Sequence, residues 1–149
     1  MSLPWVIGVL STDFDLHDYR EAIINYLKQS NTIISAFESP DFPVEPDKHS
    51  HDVCLTALKR THIAILIIDK RFGGIYYDSS DVSITKEEYI SAIEKGIPCL
   101  VFVNKQSWEE RHSYSVDLKK CGKSPEEFEK EYNCKYVSDI RTIYFINDI

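Results

Sequence analysis

The sequence predicts an α/β fold of the flavodoxin-like kind, a three-layer sandwich with a five-stranded parallel sheet in the order 2-1-3-4-5. Short apolar segments alternate with amphipathic segments along the chain, and units of this kind require right-handed crossovers between parallel strands. Residues 63–68 (IAILII) are apolar without alternation, which is typical of a central strand covered on both faces. A length of 149 residues also suits one domain.

The first half of the chain supplies the predicted strands and helices in alternation. Residues 4–10 form the first strand, and a helix begins at Asp15. Residues 32–37 are rich in β-formers and predict the second strand. A proline-rich loop, residues 38–51, then leads to a short helix at residues 53–58. The apolar positions of the first helix repeat at helical spacing, and they are Leu16, Tyr19, Ala22, Ile23, Tyr26 and Leu27.

The second half of the chain continues the pattern and then departs from it. A third helix begins at Thr85, and residues 99–103 form the fourth strand. Residues 105–138 are polar and predict an insertion with one helix that has Pro125 at its first position. Residues 141–146 (RTIYFI) predict the fifth strand.

The order of these segments defines the expected domain organisation. We expect a single domain over residues 4–149, with its core at residues 4–104. No further segment follows the predicted last strand to cover its outer face. The chain is therefore expected to be the N-terminal fragment of a longer protein.

Charge and composition exclude several classes of protein. The chain has 17 basic and 24 acidic residues and a net charge of −7, which suits a phosphate backbone poorly, so no nucleic-acid partner is expected. No apolar stretch approaches the ~20 residues that span a bilayer, and the N-terminus lacks the features of a signal peptide. We expect a cytoplasmic protein with no membrane partner, no bound metal and four unpaired cysteines.

Polar side chains are concentrated at one edge of the predicted sheet. In an open parallel sheet, ligands bind beyond the carboxyl ends of the strands. Hydroxyls, carboxylates, an arginine and two adjacent glycines reach that edge and would suit a sugar or a nucleotide, although such loops are polar in any α/β protein. The predicted ligand-binding residues are Ser11, Thr12, Asp13, Asp69, Arg71, Gly73, Gly74, Ser83 and Thr85.

Glu88 is the candidate catalytic residue. Its spacing from Thr85 matches a capping box, which gives it a structural explanation. The helical wheel nevertheless places it at the boundary of the buried face, from which it can reach a cleft, whereas Glu87 points away. A carboxylate near a helix N-terminus would stay ionised. It could stabilise or attack an oxocarbenium-like centre, as in the cleavage of an N-glycosidic bond.

Several short motifs resemble one family. Residues 10–16 (LSTDFDL), followed by Arg20, resemble the S-S-T-F-x-D-L-x-x-E-R opening of a TIR-like domain family of unknown function. Residues 70–73 and 83–89 resemble two later motifs of that family, and the resemblance covers roughly residues 5–104. The sequence departs from the family pattern at Asp13, Tyr19 and Asp69.

The resemblance implies a nucleotide-binding effector or signalling domain. TIR domains and nucleoside 2-deoxyribosyltransferases are related to this family and carry a functional glutamate in the helix that corresponds to the one bearing Glu88. The implied substrate is NAD or another nucleotide, with no required cofactor. A non-catalytic module that self-associates, or binds other domains of a longer chain through residues 38–51 and 105–138, is the alternative. A nucleoside 2-deoxyribosyltransferase-like enzyme is the third candidate function.

Overall fold

The computed structural model describes residues 3–12, 15–37, 39–40, 42–43, 45–79 and 81–149. The chain forms two compact units. The first unit comprises Met1–Ile67 with Gly73–Phe102, and the second comprises Ile68–Phe72 with Val103–Ile149.

The described residues confirm an α/β fold with a parallel sheet. Four strands are present in them, in the order β2-β1-β3-β4, so the first four positions of the predicted order are correct. Parallel pairing places Ile7 beside Ile34 on one side and beside Ile63 on the other. The strands are β1 (Trp5–Leu10), β2 (Thr32–Ser35), β3 (Ile63–Ile68) and β4 (Cys99–Val103).

Helices α1, α2 and α3 belong to the first unit. The face of α1 differs from the prediction: Arg20 and Ile24 are buried, whereas Tyr19 and Tyr26 are 67% and 72% exposed. Leu16, Arg20 and Ile24 are spaced by one helical turn, so the buried stripe includes an arginine that an apolar pattern does not detect. The helices are α1 (His17–Leu27), α2 (Ser50–Ala57), which continues as a 3-10 turn (Leu58–Arg60), and α3 (Ile84–Glu94).

The core against one face of the sheet follows from strand register. Side chains paired across parallel strands point to the same face, and so do residues two apart on one strand. Ile34 pairs with Ile7, and Val9 follows Ile7 by two residues, so Val9 and Ile34 lie on the same face, where α1 packs. Ile24 of α1 joins them, and all three are at most 5% exposed. Burial of this apolar surface is the main stabilising contribution here.

The predicted fifth strand is wrong, because residues 141–146 lie in helix α6 (Ile140–Asn147). Asp139 caps this helix by accepting a hydrogen bond from the backbone N–H of Arg141 at 2.9 Å. The β-branched and aromatic content suggested a strand, but helical spacing of the apolar residues decides the structure. The buried residues of α6 are Thr142, Ile143, Phe145 and Ile146.

The predicted insertion contains helices α4 (Lys105–Cys121) and α5 (Pro125–Glu129). The sequence missed α4 because only three of its residues, Ser107, Glu110 and Tyr114, are buried, and two of those are polar. The helix predicted near Pro125 is confirmed. It begins with a capping box between Ser124 and Glu127.

All four cysteines are free thiols, as predicted, and Cys121 is exposed. Because these cysteines are unpaired, packing of the helices and the sheet stabilises the described structure without a covalent cross-link.

Within the described ranges, no helix is both long enough and apolar enough to cross a membrane.

Candidate functional site

Three of the predicted ligand-binding residues meet in the first unit. Gly73 has φ +88°, and a Cβ atom added there would lie 2.7 Å from Cγ2 of Thr12 and 3.9 Å from Oγ1 of Thr85. The backbone at Gly73 thus approaches both the loop after β1 and the first turn of α3. This approach requires glycine, for its conformation and for its lack of a side chain.

Gly73 and Gly74 form a matched pair for mutation. Gly73→Ala is expected to destabilise the protein by about 1–3 kcal/mol, because alanine is strained at positive φ and its methyl group would overlap Thr12. Gly74→Ala is expected to change stability by less than about 0.5 kcal/mol, since nothing lies within 4 Å of an added Cβ there. Urea denaturation measures both, and equal effects would contradict the close approach at Gly73.

The loop after β1 is organised around a buried arginine. Nη1 of Arg20 donates to Oγ of Ser11 at 2.7 Å and to the carbonyl oxygen of Val9 at 3.3 Å. Oγ1 of Thr12 donates to Oδ1 of Asp15 at 2.6 Å. Arg20 is only 3% exposed. Ser11 and Thr12 of the motif are therefore held by hydrogen bonds, and the guanidinium group of Arg20 lies next to Ser11.

Glu88 is not part of a capping box. Ser83, rather than Thr85, is the N-cap of α3, and its Oγ accepts from the backbone N–H of Lys86 at 3.2 Å. Glu88 consequently lies in the second turn of α3, beyond the reach of the cap. The structural explanation of Glu88 offered by the sequence is thus wrong.

Burial raises the pKa of Glu88 to about 8. Desolvation is the largest cause, and it outweighs both the positive charge of Arg20 and a hydrogen bond with Cys54, which lower the pKa. Protein surrounds the carboxyl group, although part of the residue's surface stays accessible. The raised pKa contradicts the expectation of an ionised carboxylate, because a carboxyl group with this pKa is mainly protonated at pH 7.

Cys54 is the residue that forms a side-chain hydrogen bond with Glu88. It lies on α2, which packs against α3, and it is partly exposed. Desolvation and the adjacent Glu88 raise its pKa to about 12, so it stays a neutral thiol. A neutral thiol donates a hydrogen bond and stabilises a carboxylate next to it.

Sequence reasoning missed Arg20 and Cys54 as site residues. One signal for Arg20 was available, since it lies four residues after Leu16 on the same face of α1. No comparable signal marked Cys54, because its position against Glu88 depends on how α2 and α3 pack.

The other predicted residues have separate environments. Asp13 lies outside the described residues. Ser83 is fully buried and its hydroxyl caps α3. The carbonyl oxygen of Gly74 accepts from the backbone N–H of Ile84 at 2.9 Å. Asp69 and Arg71 belong to the second unit, where the carbonyl oxygen of Asp69 accepts from Oγ of Ser107 at 2.9 Å and Arg71 is exposed.

The chemistry available around Glu88 is that of a proton carrier. A carboxyl group with a pKa near neutrality can both donate and accept a proton. In the part of the chain that the structure describes, no group of three histidine, cysteine, aspartate or glutamate residues could hold a metal ion. Glu88 provides an acid or base, and Arg20, whose charge acts on it, contacts Ser11 in the loop after β1.

Comparison with known proteins identifies a family. The model of a domain of unknown function (DUF4062) matches residues 9–147. The match extends past residue 104, where the predicted resemblance ended, and includes α4 and α5. No curated protein and no solved structure matches the chain. The family match assigns no activity, so the relation to TIR domains remains a prediction.

Proposed function

The chain belongs to the DUF4062 family, and we propose that it is a TIR-like domain that binds NAD or a related nucleotide and cleaves its N-glycosidic bond. One observation carries the proposal. Glu88 is a partly accessible residue whose buried carboxyl group has a pKa of about 8 and lies near Arg20 and Cys54. Perturbed carboxyl groups of this kind are concentrated at functional sites.

A substrate that carries positive charge would shift Glu88 towards its ionised form. A pyridinium ring close to Glu88 lowers the pKa of the carboxyl group and stabilises the carboxylate. The carboxylate then stabilises positive charge at C1′ as the bond to the ring nitrogen breaks. The electron pair stays on that nitrogen, the ring leaves as neutral nicotinamide, and water adds a hydroxyl group to C1′ with release of a proton.

Cleavage of a neutral nucleoside would need the protonated form of Glu88. The leaving base must gain a proton, and the protonated carboxyl group can supply it. Activity on deoxynucleosides that falls as the pH rises past 8 would favour the third candidate, a nucleoside 2-deoxyribosyltransferase-like enzyme. Activity on NAD would instead depend on the ionised form of Glu88.

Ligand contacts in the proposal come from the loop after β1 and the start of α3. Ser11 and Thr12 have hydroxyl groups that suit a ribose, and Asp13 stays a sequence prediction. Gly73 and Thr85 border the same loop. We propose a cytoplasmic location, consistent with four free thiols.

The proposal is tested by following base release from NAD and from deoxynucleosides under crowded conditions that favour assembly. Glu88→Gln is expected to reduce nicotinamide release to below a tenth of the wild-type rate, because an amide cannot carry the charge that the reaction needs. Glu87→Gln, one residue away, is the matched control and is expected to retain most of the rate. Equal loss in both variants, or no release by assembled wild-type protein, would overturn the proposal.

A non-catalytic self-association module is the second candidate. β4 is the outermost strand in the described sheet, and its Leu100 and Phe102 are 56% and 58% exposed. Edge strands with exposed apolar side chains tend to pair with another chain. Self-association that survives Glu88→Gln, without base release from any substrate, would favour this candidate.

A further inference from the structure

A cluster of four rings joins the start of α2 to the segment before α3. His49 and His51 contribute two rings, and Tyr76 and Tyr77 contribute the others; we name these residues the His–Tyr cluster. Ring centroids are 4.3 Å apart for His49 and Tyr77, 5.7 Å for His51 and Tyr76, and 5.0 Å for the two tyrosines. The rings therefore contact one another across two separate elements.

Backbone hydrogen bonds hold both histidine rings of the cluster. The backbone N–H of Tyr77 donates to Nδ1 of His51 at 3.1 Å, and the backbone N–H of His51 donates to Nδ1 of His49 at 3.2 Å. A ring nitrogen accepts a hydrogen bond only when it carries no proton. The bond from Tyr77 therefore requires Nδ1 of His51 without a proton, and a proton there would remove it.

The cluster lies at the beginnings of the two helices that hold the Glu88–Cys54 pair. Cys54 follows His51 by three residues on α2. Tyr76 and Tyr77 lie on a hairpin that leads directly into α3, closed by a hydrogen bond from the backbone N–H of Tyr76 to the carbonyl oxygen of Val82 at 2.8 Å. The contacts of the cluster therefore tie α2 to the start of α3.

We propose that the His–Tyr cluster is a pH-sensitive latch, which is closed at neutral pH, opens in mild acid, and thereby controls access to Glu88. Control of access to a reactive site rests on the proposed function, whereas opening of the latch does not. Repulsion adds to the loss of the hydrogen bond, because protonated His51 would lie beside His49 with ring centroids 4.6 Å apart.

Raised pKa values keep the two tyrosines of the cluster neutral. Oδ1 of Asp52 accepts a hydrogen bond from the Tyr77 hydroxyl at 3.0 Å, and this bond is the largest cause of a Tyr77 pKa of about 12. The pKa of Tyr76 is also raised, mainly by desolvation and then by Asp52 and Glu87, with a smaller contribution from Asp78. Both tyrosines stay neutral, so the histidines carry the response.

The direction of the response follows from the pKa of His51. Desolvation, and then His49, lower the pKa below 6.5, while Asp52 opposes them. The closed latch therefore binds fewer protons than the open one, and its stability is greatest above pH 6.5. That stability decreases as the pH falls from 6.5 through the lowered pKa.

Amide hydrogen exchange tests the latch in the absence of any nucleotide. The protection of the Tyr77 amide, corrected for intrinsic exchange, is expected to fall about two- to tenfold between pH 7.5 and pH 5.5, and tenfold is the limit for one histidine with an ordinary pKa of 6.5. His51→Asn is the matched variant, because an amide oxygen can accept the same hydrogen bond without titrating, and its protection is expected to change less than twofold. Constant wild-type protection, or an equal fall in the variant, would overturn the latch.

Alkylation of Cys54 tests access to the site. The wild-type protein and His51→Asn are compared at the same pH, so that the ionisation of the thiol cancels in the ratio of their rates. Wild-type Cys54 is expected to react at least fivefold faster than the variant at pH 5.5 and equally fast at pH 7.5. A ratio of one at both values would overturn control of access, whatever the outcome of the NAD assay.

Discussion

Glu110→Ala is expected to destabilise the second unit by about 2–5 kcal/mol, because three backbone N–H groups lose their acceptor and an unsatisfied buried donor costs about 1–3 kcal/mol. Glu110 is 3% exposed, and its carboxylate accepts hydrogen bonds from three consecutive backbone N–H groups. Oε2 lies 2.7 Å from the nitrogens of both Tyr136 and Val137, and Oε1 accepts from Lys135. Alanine leaves these donors without an acceptor, a large loss against total stabilities of about 5–15 kcal/mol. Urea denaturation measures it.

Glu109→Ala is the matched control for Glu110→Ala. The side chain of Glu109 is 55% exposed and lies 3.7 Å from Lys105, a surface pair worth about 0–1 kcal/mol. Glu110→Gln is expected to fall between the two variants, since its amide retains one acceptor oxygen. Equal unfolding midpoints for Glu109→Ala and Glu110→Ala would show that the three backbone hydrogen bonds contribute little to stability.

Glu110 also explains why part of the fold could not be predicted. Strands β1 and β3 are apolar along their whole length, so their apolar sequence alone locates them within a few residues. Helix α4 instead buries a glutamate and a serine whose partners lie far along the chain. Such a helix has no apolar stripe, and only tertiary contacts reveal which of its polar residues are internal.

The candidate site also has one part that could be predicted from the sequence and one part that could not. Topology brings the loop after β1 and the start of α3 together, and hence Thr12, Gly73 and Thr85 could be predicted as neighbours. The raised pKa of Glu88 could not be predicted, because it depends on the burial of the carboxyl group and on the packing of Arg20 and Cys54 around it. Desolvation is a property of the folded environment and leaves no local pattern in the sequence.

Glu88→Gln is expected to stabilise the protein above pH 8, although it removes the proposed catalytic group. The pKa of Glu88 rises from 4.5 to about 8 on folding, so the folded state binds the extra proton. The contribution of Glu88 to stability is complete below pH 4.5 and is lost as the pH rises through 8. A pKa difference of one equals about 1.4 kcal/mol, and the rise from 4.5 to about 8 therefore makes the loss on the order of 5 kcal/mol. Urea titrations from pH 5 to pH 9 measure it.

The difference in stability between Glu88→Gln and wild type should therefore be small at pH 5 and increase steadily up to pH 8. Glu87→Gln provides the baseline, since a flat difference is expected for it. A flat difference for Glu88→Gln as well would mean that the carboxyl group is solvated and ionised, and the argument for a cationic substrate would fail. A rising difference would identify a carboxyl group that destabilises the folded state at alkaline pH. Proteins keep such groups where function needs them, and a cationic ring bound beside Glu88 would remove that cost by pairing with the carboxylate.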